Sequence, residues 1–298
     1  MKKVVPLIIV LLLSACAQMN SSTSPTSTQV KVLSGPYLGQ ALPGSEPVTF
    51  GDLIFKGGYH SSPTFLPDGS EVYWGGVFSS VTIYTMKQIN GVWGNQQVLE
   101  LPGHLTKIRD PFISPDGTTL YFITAAPLPG STEYGKENIW MTKREEESWG
   151  VPEPLPEIIN SFDLHWTVSV ASNGNLYFSS GNGGVGDIYI SEFVEGKYST
   201  PTKLPFPVND EVKIETTPNI APDESYILFS RMDTTESTPR LFISYASSMG
   251  WTDPVLVENV SNCVSPMVTP DRMYVFCTAG PYKVEWRDTS FINEYRPK

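Results

Sequence analysis

Five short segments of this chain repeat one pattern, in which Pro-Asp or a variant of it precedes a strand rich in aromatic residues. The segments are SSPTFLPDGSEVYW (61–74), RDPFISPDGTTLYF (109–122), TVSVASNGNLYF (167–178), TPNIAPDESYILF (217–229) and SPMVTPDRMYVF (265–276). Their marker residues are spaced by 48, 57, 50 and 48 residues and are Asp68, Asp116, Asn173, Asp223 and Asp271. Sequence periods of about 20–50 residues indicate stacked supersecondary units. The chain is therefore predicted to fold as a repeat array.

A second regularity gives the number of strands in each unit. An aromatic residue of a later strand is followed by another aromatic nine positions on, in the pairs Tyr84 and Trp93, Trp140 and Trp149, Tyr189 and Tyr198, and Phe242 and Trp251. Alternating apolar and polar residues, with turn residues between the runs, predict four antiparallel strands in each unit of roughly 50 residues. Such units are the blades of a β-propeller.

The two ends of the repeat region predict how the ring closes. The fifth unit lacks a fourth strand signal after Trp286, whereas Glu46–Phe50 resembles the fourth strands of other units. An N-terminal strand that completes the last blade would remove an exposed sheet edge. We predict an all-β fold with a single five-bladed propeller over residues 46–298. Six blades are the alternative, although residues 17–58 contain no further Pro-Asp unit.

The Pro-Asp-Gly-x-x-Leu-Tyr-Phe pattern, with Asn138-Ile139-Trp140 or Asp187-Ile188-Tyr189 and then Trp-x-x-Pro, resembles the WD-repeat-like propeller repeats of TolB-type proteins. The resemblance covers about residues 46–298 and implies the propeller fold. TolB-type proteins have six blades and an additional N-terminal domain, and this sequence shows neither. The resemblance therefore implies no particular partner, because a fold alone does not define a function.

The N-terminus carries an export signal. Lys2 and Lys3 precede the ten-residue apolar run Val4–Leu13, which is shorter than the roughly 20 residues of a membrane-spanning helix. Leu-Ser-Ala-Cys follows, and it resembles the lipobox of bacterial lipoproteins. We predict a signal peptide over residues 1–15, lipidation of Cys16 and a polar tether over residues 16–45. Ala17 favours an outer-membrane address in the cell envelope, on its periplasmic or surface face. An ordinary signal peptide is the alternative.

Charge excludes one class of partner. Without Lys2 and Lys3 the chain has 18 basic and 31 acidic residues, a formal net charge of −13. A field of this sign repels nucleic acid. The predicted partners are an envelope protein, a glycan or a small molecule, with the membrane reached through the lipid anchor.

Cys263 and Cys277 both belong to the fifth repeat, and their pairing stays open at this stage. Export permits a disulfide. A regular hairpin register, however, places Cys277 nearer Ser265 or Pro266 than Cys263, and disulfide geometry is demanding.

Candidate site residues lie in the segments before the first strand of each blade, which crowd one mouth of a propeller channel. All three histidines (His60, His104 and His165) fall in these segments, and charged and aromatic residues accompany them: Arg109, Asp110, Asp163, Trp166 and Glu215. Convergent ionisable and aromatic groups in a concave site indicate ligand binding. The predicted ligand-binding residues are His60, Arg109, Asp110, His165, Trp166 and Glu215. Capping of strand ends in a wet channel is the structural alternative.

Two hypotheses about the chemistry at this channel mouth are kept as alternatives. Asp110, Asp163 and Glu215 come from successive blades and could supply the acid and the base of a carbohydrate-active hydrolase or lyase. His60, His165 and Glu215 could hold a divalent metal ion. No motif requires a cofactor, and the sequence lacks Gly-x-Ser-x-Gly, Gly-x-x-x-x-Gly-Lys and Cys-x-x-Cys. The leading prediction is a binding module, and not an enzyme.

Overall fold

The propeller is built from five antiparallel sheets that follow one another along the chain. The computed structural model describes residues 33–51, 58–77, 81–103, 105, 107–132, 135–162, 164–181, 186–233, 235, 238–260 and 262–298. Cys16, His104 and Asp163 lie outside these residues, as do the predicted signal peptide and most of the tether. No helix in the described part of the chain is long and apolar enough to cross a membrane.

The first strand, β1 (Val48–Phe50), lies outside the sequential order and is described with blade 5. Blade 1 follows it and comprises β2 (Gly58–Tyr59), β3 (Thr64–Phe65), β4 (Glu71–Val77), β5 (Val81–Ile89), β6 (Val92–Trp93) and β7 (Gln97–Val98). Blade 2 comprises β8 (Arg109–Ile113), β9 (Thr119–Thr124), β10 (Asn138–Glu145), β11 (Ser148–Trp149) and β12 (Glu153–Pro154). The short helix α1 (Glu157–Asn160) leads from blade 2 into the next blade.

Blade 3 comprises β13 (Val168–Val170), β14 (Leu176–Ser180), β15 (Asp187–Ser191), the hairpin β16 (Phe193–Val194) and β17 (Lys197–Tyr198), and β18 (Thr202–Lys203). Blade 4 comprises β19 (Lys213–Ile220), β20 (Tyr226–Asp233), β21 (Arg240–Ser247), β22 (Gly250–Trp251) and β23 (Val255–Leu256). Blade 5 comprises β24 (Val264–Val268), β25 (Tyr274–Gly280) and β26 (Lys283–Asp288), and α2 (Phe291–Glu294) follows it. The prediction of five blades is confirmed.

The N-terminal strand closes the ring, as the sequence predicts. β1 pairs antiparallel with β26, and Val48, Thr49 and Phe50 lie opposite Trp286, Glu285 and Val284. Blade 5 thereby gains its fourth strand, and the edge of β26 is covered.

The preceding segment, assigned to the tether from sequence, packs against blades 5 and 1 from Leu33 to Gly39. It contains a 3-10 turn at Pro36–Gly39, in which Leu38 is fully buried. The Tyr37 ring lies 5.3 Å from those of Phe65 and Tyr274 and 5.7 Å from that of Trp286, and its hydroxyl donates to Asp271. Two N-terminal segments, Leu33–Gly39 and β1, thus pack where the ring closes.

Large aromatic side chains fill the space between blades. Trp74, Trp93, Trp140, Trp149 and Trp286 are all buried. Rings of this size bury much apolar area where twisted sheets diverge. The repeated aromatic positions of the sequence are therefore mostly core positions.

A register shift in blade 5 allows the two cysteines to join. Val268 and Met267 pair regularly with Val275 and Phe276, but a bulge follows, and Val264 then pairs with Thr278. A bulge gives one strand an extra residue. Cys263 therefore lies closer to Cys277 than a regular register allows, and the two form a disulfide with a Cα–Cα distance of 4.9 Å.

Candidate functional site

The first strands of the blades surround the propeller axis and contact one another through hydroxyl groups. Ile113 N donates to Thr64 Oγ1, Ile220 N to Ser169 Oγ and Ser265 N to Thr217 Oγ1. These bonds link blade 2 to blade 1, blade 4 to blade 3 and blade 5 to blade 4. The name channel mouth is used for the end of the ring at which these strands begin. The opposite end, which has the Pro-Asp turns, is called the Pro-Asp face.

A pocket of about 600 Å³ lies at the channel mouth, and every blade contributes to it. Its lining residues are His60, Arg109, Asp110, Glu137, Leu164, Trp166, Thr167, Ile214, Thr216, Thr217, Met232, Val264 and Ser265. This volume is in the range of small-molecule sites, about 300–1,000 Å³. The segments singled out from sequence do converge here.

β-Bulges allow consecutive residues of the same strand to face the pocket. The pairing of the first and second strands shifts between Arg109 and Phe112, Thr216 and Asn219, and Val264 and Met267. At the same position in these three blades a non-glycine residue has a positive φ, 53° at Asp110 and Thr217 and 56° at Ser265. Successive side chains of a regular strand point to opposite faces. At each bulge, two consecutive residues of the strand instead line the pocket, as Arg109 and Asp110 do.

One wall of the pocket is a connected set of charged side chains. His60 Nδ1 lies 2.7 Å from Asp110 Oδ1, Arg109 Nε lies 3.6 Å from Asp110 Oδ2, and Arg109 also forms an ion pair with Glu137. Because the Asp110 carboxylate only accepts, His60 donates through Nδ1, and the neutral ring keeps a lone pair on Nε2. With His60 neutral, the single positive charge of Arg109 faces two carboxylates, so this wall has one excess negative charge.

The pKa of His60 reflects two opposing influences. Burial lowers it, but the hydrogen bond to Asp110 and the charge of that carboxylate outweigh burial, so the pKa lies above its usual value of 6.5. Asp110 therefore both orients the ring and stabilises its protonated form.

Blades 3 to 5 contribute Trp166 and other apolar side chains, together with the hydroxyl groups of Thr167, Thr216, Thr217 and Ser265. The other apolar side chains are those of Leu164, Ile214, Met232 and Val264. The indole of Trp166 lies over two glycines: a Cβ on Gly181 would come 3.1 Å from the ring, and one on Gly186 would come 2.5 Å from it. Glycine at these positions gives the ring the space that it occupies.

Glu215 lies at the same level of the ring but does not line the pocket. Its neighbours Ile214 and Thr216 point to the channel, so Glu215 points to the opposite side of β19. It is fully buried, and its Oε1 lies 2.7 Å from Arg231 Nε. Burial raises the pKa of Glu215 to about 7, although the charge of Arg231 opposes this shift.

His165 also faces away from the pocket, whereas its neighbours Leu164 and Trp166 line it. It is fully buried, with Nδ1 2.5 Å from the carbonyl oxygen of Glu137 and Nε2 3.1 Å from that of Ile159. Burial lowers the pKa of His165, so the neutral ring donates to the nearer oxygen. The histidine supports the backbone of Glu137, whose carboxylate holds Arg109.

The structure therefore brings together four of the candidate residues, His60, Arg109, Asp110 and Trp166, and separates His165 and Glu215 from them. The proposed metal ligands His60, His165 and Glu215 do not meet, and among the described residues no group of three or more His, Cys, Asp or Glu side chains could hold a metal ion.

Glu137 is the one charged lining residue that sequence reasoning missed. It lies in the connection between β9 and β10, and not before a first strand. The residue at the same place in blade 3 is Gly186, since Asn138 and Asp187 both begin the third strand. Comparison of the repeats therefore contained no signal for it.

Comparisons with known proteins yield structural likenesses only. No family model and no curated protein match the sequence. TolB of Acinetobacter baumannii is 16% identical, with a TM-score of 0.48, over 76% of this chain and 53% of its own. A gluconolactonase of Xanthomonas campestris is 12% identical, with a TM-score of 0.48, over 85% of this chain and 97% of its own. A puromycin-hydrolysing peptidase of Mycobacterium tuberculosis is 13% identical, with a TM-score of 0.41, over 65% of this chain and 28% of its own.

The chain thus spans about half the length of the TolB chain and about a quarter of the peptidase chain. Its own five sheets define its class, a single-ring β-propeller with a ligand-sized pocket at one mouth.

Proposed function

We propose that this protein is a binding module that takes a glycan or another small ligand into the channel mouth. The observation that carries the proposal is the pocket to which all five blades contribute, with charged groups from blades 1 and 2 and apolar and hydroxyl side chains from blades 3 to 5. Binding sites for small molecules combine apolar surface with a few convergent polar groups. Trp166 supplies a ring for stacking, and His60, Asp110 and Glu137 supply hydrogen-bonding groups.

The sequence supports a place for this module in the cell envelope. Residues 1–16 carry the export signal and the lipobox-like Leu-Ser-Ala-Cys, and we propose that lipidated Cys16 anchors the propeller, with the outer membrane as its address. A lipid anchor would hold the channel mouth near envelope glycans and proteins.

Binding at the mouth predicts a loss of affinity on removal of the Trp166 ring. A thermal-shift screen of neutral and acidic mono- and disaccharides, nucleosides and amino acids would select compounds that raise the Tm of the wild-type protein. For such a compound, calorimetric titration of Trp166→Ala should give an affinity about tenfold weaker, since the stacking surface is lost. Trp251→Ala, at a hairpin remote from the mouth, is the control and should bind as the wild type does. Equal affinity in all three proteins, or no stabilising compound in the screen, would contradict the proposal.

A hydrolase or lyase acting on the bound ligand is the second candidate, and the His60–Asp110 contact favours it. In the Nδ1–H tautomer, Nε2 of His60 can accept a proton, from an attacking water in a hydrolase or from a substrate carbon in a lyase, and Asp110 stabilises the imidazolium. The same proton then passes to the leaving group. This scheme differs from the acid and base suggested by sequence, because Glu215 is bound to Arg231 and Asp110 to His60. The third candidate, Asp163, lies outside the described residues.

The pH profile tests this second candidate. Chromogenic glycosides and esters would serve as substrates. Because the base must be neutral, turnover should rise with pH through the pKa of His60, which is raised above 6.5. His60→Gln should lower kcat by a factor of about 100 or more, and Asp110→Asn should move the midpoint of the profile to lower pH. Turnover that survives His60→Gln with an unchanged profile would exclude His60 as the base.

A further inference from the structure

Five side chains contact one another in the outer part of the interface between blades 1 and 2. The Glu71 carboxylate accepts hydrogen bonds from Arg144 Nη2 at 2.6 Å and from the Tyr73 hydroxyl, and it lies 3.2 Å from Lys87 Nζ. Trp149 Nε1 donates to the Tyr73 hydroxyl at 3.0 Å, and the Arg144 guanidinium lies over the Trp149 ring. One carboxylate thus joins two cations, and all three side chains line a cleft of about 710 Å³.

The same positions between blades 2 and 3 hold different residues. Glu71 pairs with Lys87 across blade 1, and Thr119 pairs with Lys143 across blade 2. Arg144 pairs with Trp149 in the hairpin of blade 2, and Phe193 pairs with Tyr198 in that of blade 3. The second interface therefore has threonine for glutamate, phenylalanine for arginine and tyrosine for tryptophan. Tyrosine (Tyr121 for Tyr73) and lysine are retained.

A cleft lies at this place in both interfaces, and the one between blades 2 and 3, of about 430 Å³, differs in its lining; we call it the blade 2–3 cleft. Tyr121, Met141, Lys143, Phe193 and Tyr198 contribute to its lining. The rings of Phe193 and Tyr198 lie 4.9 Å apart. Gly174 makes room for Phe193, because a Cβ on this glycine would come 2.7 Å from the ring. The cleft therefore has aromatic and thioether surface on its sides.

Lys143 has no close ion pair like that of Lys87 with Glu71 among the described residues, although its charge helps to lower the pKa of Asp116. Lys143 Nζ donates to Thr119 Oγ1 at 2.8 Å. Asp116 is the only carboxylate among the lining residues, and its Oδ1 accepts from Ser114 Oγ, Thr118 N and Thr118 Oγ1. The position that Glu71 occupies in the first interface thus has no carboxylate in the second.

We propose that the blade 2–3 cleft is a second binding site, which takes a small aromatic carboxylate. The ligand's carboxylate lies by Lys143 Nζ and Thr119 Oγ1, where Glu71 lies in the neighbouring interface, and its ring packs against Tyr198, Phe193 and Met141. A lysine–carboxylate hydrogen bond is stronger than one between neutral groups, and a thioether packs well against a ring. The cleft adjoins the Pro-Asp face through Pro115 and Ser172, so this site is separate from the channel mouth.

Calorimetric titration with phenylacetate, 4-hydroxyphenylacetate and indole-3-acetate tests the site directly. We expect saturable binding of at least one acid at a stoichiometry of one. Phenylacetamide, of the same shape but uncharged, should bind about tenfold more weakly than phenylacetate, because it lacks the charge-assisted hydrogen bond. No saturable binding of any acid, or equal affinity for acid and amide, would overturn the proposal.

Substitutions locate the bound acid. Lys143→Met should weaken binding about tenfold, and Thr119→Glu should weaken it further, because it places a carboxylate where the ligand's would lie. Tyr198→Trp should also weaken binding, because the larger ring takes up part of the space that the ligand's ring would occupy. Lys87→Met is the matched control, and it should bind the acid as the wild type does, as should Trp166→Ala. An acid that binds Lys143→Met and Tyr198→Trp as tightly as the wild type would overturn the proposal.

Discussion

Replacement of Phe50 by alanine should lower the free energy of unfolding by about 3–5 kcal/mol, the usual cost of a buried phenylalanine. Phe50 is 1% exposed, and its ring lies 4.7 Å from that of Phe276 and 4.9 Å from that of Trp286. It is also the last residue of β1, the strand that completes blade 5. In a domain of this size the Tm should fall by roughly 10 °C, which differential scanning calorimetry would measure.

A deletion and an exposed control refine this test. Removal of residues 33–50 takes away both Tyr37 and β1, so the edge of β26 becomes available to other chains. We expect loss of the cooperative transition, or a lower Tm together with concentration-dependent association. Tyr282→Ala removes an aromatic side chain that is 80% exposed and should change stability by no more than about 0.5 kcal/mol. A Phe50→Ala protein as stable as Tyr282→Ala would show that β1 does not close the ring.

The buried pair of Glu215 and Arg231 should give the second large effect, and one that depends on pH. Arg231 Nη2 donates to the carbonyl oxygens of Pro207 and Val208 at 2.9 Å, and its guanidinium lies over the rings of Phe229 and Phe242. Arg231→Met removes these bonds and leaves Glu215 buried without its cation. Loss of one partner of a buried ion pair costs about 3–5 kcal/mol.

The pH dependence follows from the raised pKa of Glu215. Its value of about 7 in the folded protein lies above the usual 4.5. The stability that this group contributes is therefore complete below pH 4.5 and is lost as the pH rises through 7. Without Arg231 the pKa rises further, so the loss of stability in Arg231→Met should be larger at pH 8 than at pH 5.5.

Chemical denaturation at the two pH values measures this difference. The double variant Glu215→Gln, Arg231→Met is the matched control, because its amide does not titrate, and its stability relative to Glu215→Gln should not change with pH. A loss in Arg231→Met that is the same at both pH values would contradict a carboxyl group with a raised pKa at this position.

The sequence predicted the fold well because repetition and alternation are local signals. The Pro-Asp spacing gave the number of blades, and the likeness of Glu46–Phe50 to other fourth strands gave the closing strand. The signal peptide, the lipidation of Cys16 and the outer-membrane address stay predictions.

The site was harder to predict because the direction of each side chain depends on register. The sequence analysis placed whole segments at the mouth. Successive side chains of a strand point to opposite sides, however, so His165 and Glu215 point into the interfaces between blades. The bulges bring Asp110 to the pocket and Cys263 to Cys277, and they depend on pairing with the neighbouring strand. Glu137 reaches the mouth from the connection between β9 and β10, and the equivalent residue of blade 3 is Gly186, so the repeats gave no signal for a charged group there.

Hydrogen exchange with a bound ligand tests the central claim, that the five blades form one binding site at the channel mouth. The probe is the compound that gives the largest thermal shift and that loses affinity in Trp166→Ala. We expect it to slow exchange together in the equivalent segments of all five blades, which are residues 58–62, 107–111, 164–168, 213–218 and 262–266. Protection confined to one blade, or to the Pro-Asp turns at the opposite face, would contradict the account.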